Sequence, residues 1–277
     1  MDPSVNQTVA KIAVIMSVYR NDSLRYLSQA VESILGQNYR DFDFYIQLDG
    51  PVPEMLSAYL NQLDDPRVQV RKRNENRGLA YSLNELLDIV LPLGYEFIAR
   101  MDADDCCAPD RFERQLLFYQ THPEVECLGS WAIEIDKDGN EFFRKKMPQT
   151  HEECYSLFKI RDCVIHPSVM FRSSFFKKAG LYPLDTFFAE DTILWAQGFR
   201  AGCIFANVPE FLYLFRLDEH FFERRRGWEH AKNVLLLRFR VNRMLHYGLG
   251  AYVSAFLYAF AKMLPEKALD LVYRIIR

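Results

Sequence analysis

The sequence predicts an α/β domain with a mainly parallel central sheet, followed by a helical C-terminal extension. Over residues 11–105, short apolar runs alternate with stretches whose apolar residues recur at helical spacing, which is how successive βαβ units read. From His151 onward helical patterns dominate, with a soft boundary near residue 145. A chain of 277 residues, 49% of them apolar, can bury a large core as one domain or one and a half, and a wholly disordered chain is excluded.

Ile12 to Val18 is a continuous apolar run and reads as a buried first strand. Asn21, Asp22 or Ser23 can cap the helix that follows, where Leu24, Leu27, Val31, Ile34 and Leu35 mark one face. Phe42 to Leu48 is the second strand, broken by Asp49-Gly50-Pro51. A weaker helix is expected over 53–63, a strand at Val68 to Val70, and a third helix from about Gly78. Tyr95 to Met101 forms another buried strand that runs directly into Asp102-Ala103-Asp104-Asp105. Pro109 opens a helix through about Gln120, and Val125 to Ile135 reads as a strand before the turn at Asp138-Gly139-Asn140. Beyond it, His166-Pro167 reads as a turn before a strand from Ser168 to Phe171, and a further strand is expected from Cys203 to Val208.

Charge and cysteine usage remove several function classes. Thirty-four Lys and Arg against 37 Asp and Glu leave a formal charge of −3, which gives no global electrostatic reason to expect a nucleic-acid partner. The six cysteines form no Cys-x-x-Cys pair, so zinc-ribbon and thioredoxin-like readings lack support and a reduced, cytoplasmic chain fits best. The N-terminus has no basic segment ahead of its short apolar run, unlike a signal peptide. Neither GxxxxGK[ST] nor GxGxxG occurs, and GxSxG is absent. Cys106-Cys107 adjoin acids that raise a thiol pKa, so they read as packing residues.

In an open α/β sheet, ligands bind outside the carboxyl ends of the strands. Four polar clusters fall there: Ser17-Val18-Tyr19, Asp49-Gly50, Arg73 to Gly78, and Asp102 to Asp105. If strand geometry persists, Asp102 and Asp104 point to one side and can share a hard divalent cation; the competing reading is a solvated acidic turn ahead of a helix. Mg²⁺ or Mn²⁺ held by few carboxylates keeps positions open for phosphate oxygens, which suggests a nucleotide-diphosphate substrate.

These residues resemble the family 2 glycosyltransferases, inverting enzymes with the Rossmann-like A-type nucleotide-diphospho-sugar transferase fold. The resemblance covers about residues 11–220. It rests on VIMSVYRNDSLRYLSQAVESILGQNYRDFDFYIQLDGP, NENRGLAYSLN, MDADD, HPSVMFR and FFAEDTILW, which stand in family order. It implies that Ser17 and Tyr19 line the nucleotide pocket, that Asp49 binds the base, and that Asn76, Gly78 and Asn84 shape the pocket floor. It places Asp102 near the ribose and donor sugar, and Asp104 on the metal, Mn²⁺ or Mg²⁺. His220 would be a further metal or phosphate ligand as in some relatives, although its spacing from Arg216 is loose and it also reads as a surface histidine. Asp191, beside Glu190, would be the general base that takes a proton from the acceptor hydroxyl, and His166 and Trp195 would lie on the acceptor side. His166-Pro167 also reads as a simple turn, and Glu190-Asp191 as an acidic first helical turn. Two departures stand out: the second strand ends Gln47-Leu48-Asp49-Gly50-Pro51 where Asp-Asp-Gly-Ser is commoner, and the QxxRW motif of processive synthases is absent, which suggests one sugar per encounter.

The expected organisation is a catalytic domain over 9–220, with a nucleotide-binding half at 9–105 and an acceptor-binding half at 106–220, then a basic-amphipathic helical extension at 221–277. Met244 to Ala261 carries no formal charge but includes His246, two glycines, three tyrosines and Ser254, which suits an interfacial helix better than a spanning one. With the basic residues of 224–243, it suggests peripheral contact with the inner face of the cytoplasmic membrane; an ordinary helical hairpin packed on the domain is the alternative. The partners expected are a nucleotide-diphospho-sugar, a UDP-sugar first, and a saccharide or lipid-linked saccharide acceptor of polysaccharide assembly (lipopolysaccharide or capsule). The alternatives are a sugar-phosphate nucleotidyltransferase, which would want a Gly-rich basic loop after strand one, and a non-catalytic nucleotide-sugar binder or membrane scaffold.

Overall fold

The computed structural model describes residues 12–186, 189–217 and 227–263. The first half follows the expected alternation: β1 (Ile12–Val18), α1 (Leu24–Leu35), β2 (Phe42–Leu48), α2 (Glu54–Asn61), β3 (Val68–Lys72), α3 (Leu79–Val90) and β4 (Phe97–Met101). The chain continues through β5 (Cys106–Cys107), α4 (Arg111–Thr121), β6 (Val125–Ile135), β7 (Glu141–Lys145) and α5 (His151–Phe158). A single 3-10 turn at His166–Ser168 leads into β8 (Met170–Arg172), α6 (Ser173–Ala179), α7 (Glu190–Arg200) and β9 (Ile204–Arg216). Two further helices follow, α8 (Trp228–Met244) and α9 (Leu249–Ala261).

The strands form one sheet in the order β3-β2-β1-β4-β8-β6-β9-β5, with β7 paired to β6. The sheet is mixed. β3, β2, β1 and β4 are mutually parallel, as βαβ crossovers require, whereas β8 joins β4 and β6 antiparallel. The residues of β1 divide between the two faces by strand alternation. Ile12, Val14, Met16 and Val18 pack with α1 and α2, while Ala13 and Ile15 pack with α3. Burial on both faces is why β1 carries no polar alternation. Gln37, at the end of α1, is fully buried, and its amide donates to the Ala108 carbonyl while its oxygen accepts from the Phe112 amide. That residue ties α1 to the start of α4.

β9 runs well past the expected end at Val208. Pro209 cannot donate to a ladder, so it and Glu210 bulge out between the pairs Ser130↔Val208 and Trp131↔Phe211, and pairing with β6 resumes to Arg216. This continuation brings Leu214 and Tyr213 against β5, beside the acidic tetrad. Between α8 and α9, Ala251, Ala255 and Ala259 are buried along one side of α9, and Phe239 of α8 meets Tyr252 and Phe256 edge-on. No helix among the described residues is long and apolar enough to cross a membrane.

Candidate active site

The chain goes from β1 outward to β2 and β3 and then returns to place β4 on the other side of β1, so the topological switch lies between β1 and β4. Met16 pairs with Met101, so Ser17, still paired with Gln47 of β2, and Asp102, just past β4, follow at the same level. Ser17 is half-buried, and Tyr19 is 42% exposed at the rim. The Asp49 amide extends the ladder by donating to the Val18 carbonyl at 2.8 Å, so the four strand-end clusters are adjacent.

Asp49 serves the loop after β3. Its Oδ1 accepts from the Arg73 guanidinium and from the Arg77 amide at 2.8 Å; its Oδ2 accepts from the Asn76 side chain at 3.0 Å and the Gly78 amide at 2.9 Å. Those bonds occupy the acceptor positions of a carboxylate. Asp49 thereby has a positioning role in this structure: it folds the Arg73–Gly78 loop. Gly50 is needed beside it, because at φ +82° a β-carbon would meet the Asn76 nitrogen at 2.5 Å.

β4 ends at Met101, so the acids do not continue a strand as expected; a turn brings them together instead. Carboxylate oxygens of Asp102, Asp104 and Asp105 lie within 4.8 Å of one another. Asp104 is exposed, yet desolvation by the chain around it, followed by the charge of Asp102, raises its carboxyl to about 6. Burial and then the charges of Asp104 and Asp102 push the Asp105 carboxyl up as well. Asp22 joins them from the β1–α1 loop. Burial first, and then Asp104 and Asp102, raise its carboxyl to about 7, although it accepts the Tyr19 amide at 2.8 Å. Hard oxygens crowded this closely at raised pKa form a donor set that fits Mg²⁺ or Mn²⁺.

Two arginines frame the acids. Arg100, the one charged residue of β4, is 1% exposed and ion-paired with Asp102. Arg216, at the end of β9, donates its amide to Asp105 at 2.7 Å and its Nε to the Asp104 carbonyl at 2.8 Å, and reaches Gln29 of α1 at 2.8 Å. Cys106 and Cys107 act as packing residues of β5; burial raises the Cys106 thiol to about 11 and outweighs the opposing charge of Arg216.

The residues expected on the acceptor side are organised around Tyr182. Its hydroxyl lies 2.8 Å from His166 Nε2, and it feels the charge of Arg100 as well as those of Asp191 and Glu190, which places it between the acids and the start of α7. Burial and the Arg100 charge hold His166 well below its ordinary pKa, hence neutral. Asn84 pins the Tyr182 backbone in both directions, at 2.8 and 2.9 Å, so it positions this loop rather than shaping a nucleotide floor. Trp195 is fully buried against Phe171, Phe205 and His166, and packing replaces the acceptor contact expected of it. Glu190 and Asp191 open α7, with Asp191 Oδ1 accepting the Thr192 amide at 2.7 Å. His220 lies outside the described residues.

Sequence reasoning passed over Asp22, Arg100, Tyr182 and Arg216 as site residues. Two of them carry a signal. Asp22 follows a strand's carboxyl end just as Tyr19 does, and Arg100 is a charge inside an otherwise apolar buried strand. Tyr182 and Arg216 are brought in by tertiary contacts alone.

The sheet order, with acids clustered at its switch point, matches the A-type nucleotide-sugar transferase fold. The family model for Glycosyl transferase family 2 matches residues 13–178, and the chain belongs to that family and is a glycosyltransferase. It is 29% identical over 269 residues to the amylovoran biosynthesis glycosyltransferase AmsE of Erwinia amylovora, covering 94% of this chain and 97% of that one. It is 26% identical to the UDP-Gal:alpha-D-GlcNAc-diphosphoundecaprenol beta-1,3-galactosyltransferase of Escherichia coli, covering 95% of each chain. Among solved structures, S. aureus TarS 1-349 in complex with UDP-GlcNAc superposes with a TM-score of 0.66 at 15% identity, over 93% of this chain and 82% of that one, a likeness of fold.

Proposed function

We propose that this chain transfers one sugar per encounter, with inversion, from a nucleotide-diphospho-sugar to a saccharide or lipid-linked saccharide in cell-surface polysaccharide assembly. The observation that carries the reading is the convergence of Asp22, Asp102, Asp104 and Asp105 at the β1/β4 switch. A UDP-sugar is the first candidate, since the galactosyltransferase relative is named for UDP-Gal and the TarS structure holds UDP-GlcNAc. The same relative is named for a diphosphoundecaprenol acceptor, which favours a lipid-linked substrate and work at the inner face of the cytoplasmic membrane. The division into a catalytic domain over 9–220 and an extension over 221–277 belongs to this reading.

The roles are those that the family resemblance implies. Ser17 and Tyr19 border the nucleotide, the loop held by Asp49 presents Asn76 and Gly78 to the base, and Asp102 faces the ribose and sugar. Asp102, Asp104 and Asp105 would hold Mn²⁺ or Mg²⁺, which when bound offsets the negative charge of a departing diphosphate. Asp191 takes the proton of the acceptor hydroxyl as its oxygen bonds to the anomeric carbon; the electron pair of the breaking bond leaves with the diphosphate. One base is enough for a single displacement with inversion.

The test is a thermal-shift panel of UDP, GDP, CDP and dTDP, with and without Mn²⁺, on wild type and Asp104→Ala. One nucleotide should raise the melting temperature only with metal and only in wild type. Asp191→Asn should keep that shift and lose turnover. No shift with any nucleotide would sink the donor-site reading in favour of a scaffold, and turnover of a sugar phosphate with a nucleoside triphosphate would point to a nucleotidyltransferase.

A further inference from the structure

The C-terminal face carries a second concavity that the transfer reaction does not use. An open cavity of about 640 Å³ lies between the end of α7, α8 and the α8–α9 connection, lined by Arg200, Phe239, Arg240, Arg243, His246 and Tyr252. Arg240 is ion-paired with Asp185 at 3.0 Å, whereas Arg200 and Arg243 are exposed and have no carboxylate partner among the described residues. Two of the three arginines thus bring charge to the cavity that no described carboxylate offsets, which makes it a site for an anion. His246, whose φ is +52°, adds an imidazole to the cavity wall.

The cavity adjoins an apolar surface. Ala251, Ala255 and Ala259 turn one side of α9 toward α8, which leaves Leu249, Val253, Phe256, Leu257 and Phe260 on the other, each more than half exposed. Phe256 meets Phe239 of the cavity wall edge-on at 5.3 Å, so the cationic and apolar surfaces are continuous. At 13 residues, α9 is about 20 Å long, too short to cross a hydrocarbon core of about 30 Å, and it carries no charged residue. A helix of this kind beside arginines has the chemistry of an element that lies in a membrane interface.

We propose that the α8–α9 hairpin docks on an anionic phospholipid bilayer, the Arg200–Arg240–Arg243 cavity seating a lipid phosphate while the exposed face of α9 enters the headgroup and acyl boundary. The inference deepens the lipid-linked reading of the acceptor and rests on it for its purpose, but the contact itself needs neither donor nor turnover. It is a surface separate from the acidic crevice, so its loss leaves nucleotide binding intact.

The experiment is flotation of the full chain with vesicles of phosphatidylcholine alone and of phosphatidylcholine with one-third phosphatidylglycerol. Wild type should partition at least tenfold better into the anionic vesicles, and rising salt should weaken it. Arg200→Gln and Arg243→Gln should each cost about fivefold, some 25-fold together, from about 1 kcal/mol per basic residue at an anionic surface. Phe256→Ser with Leu257→Ser should abolish partition into both. The nucleotide thermal shift, measured on the same variants, should not move; its failure in wild type would count against the donor site and leave the vesicle result standing. Equal partition into both vesicles, or none into either, overturns the proposal. So does a concentration-dependent dimer without lipid that the Phe256/Leu257 variant loses, which would make this face a contact between copies. Displacement from vesicles by millimolar inorganic phosphate, with an Arg243-dependent thermal shift from phosphate alone, would make the cavity a free-phosphate site instead.

Discussion

Replacing Asp49 by alanine separates two roles that the same residue could have. In the fold, its carboxylate holds the loop after β3 through Arg73, Asn76 and the amides of Arg77 and Gly78. The Asp49 and Arg73 side chains are only 4% and 12% exposed, so the magnitudes of a buried pair apply and not the 0–1 kcal/mol of a surface one. Breaking a buried pair from one side costs about 3–5 kcal/mol, because the remaining charge is left without its partner. Arg73 keeps Glu85 at 2.8 Å, which favours the lower half of that range. At about 2–4 °C per kcal/mol for a chain of this size, Asp49→Ala should melt about 6–16 °C below wild type. The assay is thermal unfolding without nucleotide, followed by nucleotide titration well below the transition. Arg73→Met should cost less, since Asn76 and the two amides still satisfy Asp49, and the double variant should cost less than the sum. An Asp49→Ala protein that melts within a degree of wild type but has lost nucleotide affinity would refute the positioning role and restore direct contact with the base.

Other outcomes follow from neighbouring residues. Gly50→Ala should destabilise by several degrees in thermal melts, because its β-carbon would overlap the Asn76 backbone at 2.5 Å in a left-handed conformation. Without divalent cations, Asp22 and Asp104 hold protons to about 7 and 6, while in the unfolded chain they ionise near 4. Folding then takes up protons in that window, so metal-free stability should fall as pH rises from about 4 through 7, and Mn²⁺ should flatten or reverse the slope in melts at stepped pH. Arg100→Met removes the buried cation paired with Asp102; the metal-free melting temperature should drop, and saturating Mn²⁺ should recover part of the loss. Recovery no greater than the Mn²⁺ shift of wild type would show that Arg100 does not serve the acids.

Much of the fold was legible because its signals are local. The apolar runs of β1, β2 and β4 and the spacing of Leu27, Val31 and Ile34 on α1 each reflect burial that a short window reports. β5 and β7 were missed: one is two residues long and the other half-exposed, so neither carries a periodic pattern. β9 was cut short at Pro209, because a proline reads as a strand breaker unless the partner strand is known to absorb a bulge.

For the site, the sequence by itself determined the inventory: acids and small polar residues at the carboxyl ends of β1 to β4, in an order that the parallel crossovers bring to one edge. What each residue does was decided by tertiary structure. Asp49 and Asn84 looked like ligand contacts and are taken up by backbone amides and carbonyls of distant loops. Trp195 looked like a recognition residue and fills the core. Asp22 and Arg216 enter the acidic cluster across 82 and 112 residues of chain, counted to Asp104. Hydrogen-bond satisfaction and burial are pairwise properties between segments far apart in the chain, so residue type and local spacing report which groups are available, and the packed fold reports which are left for a ligand.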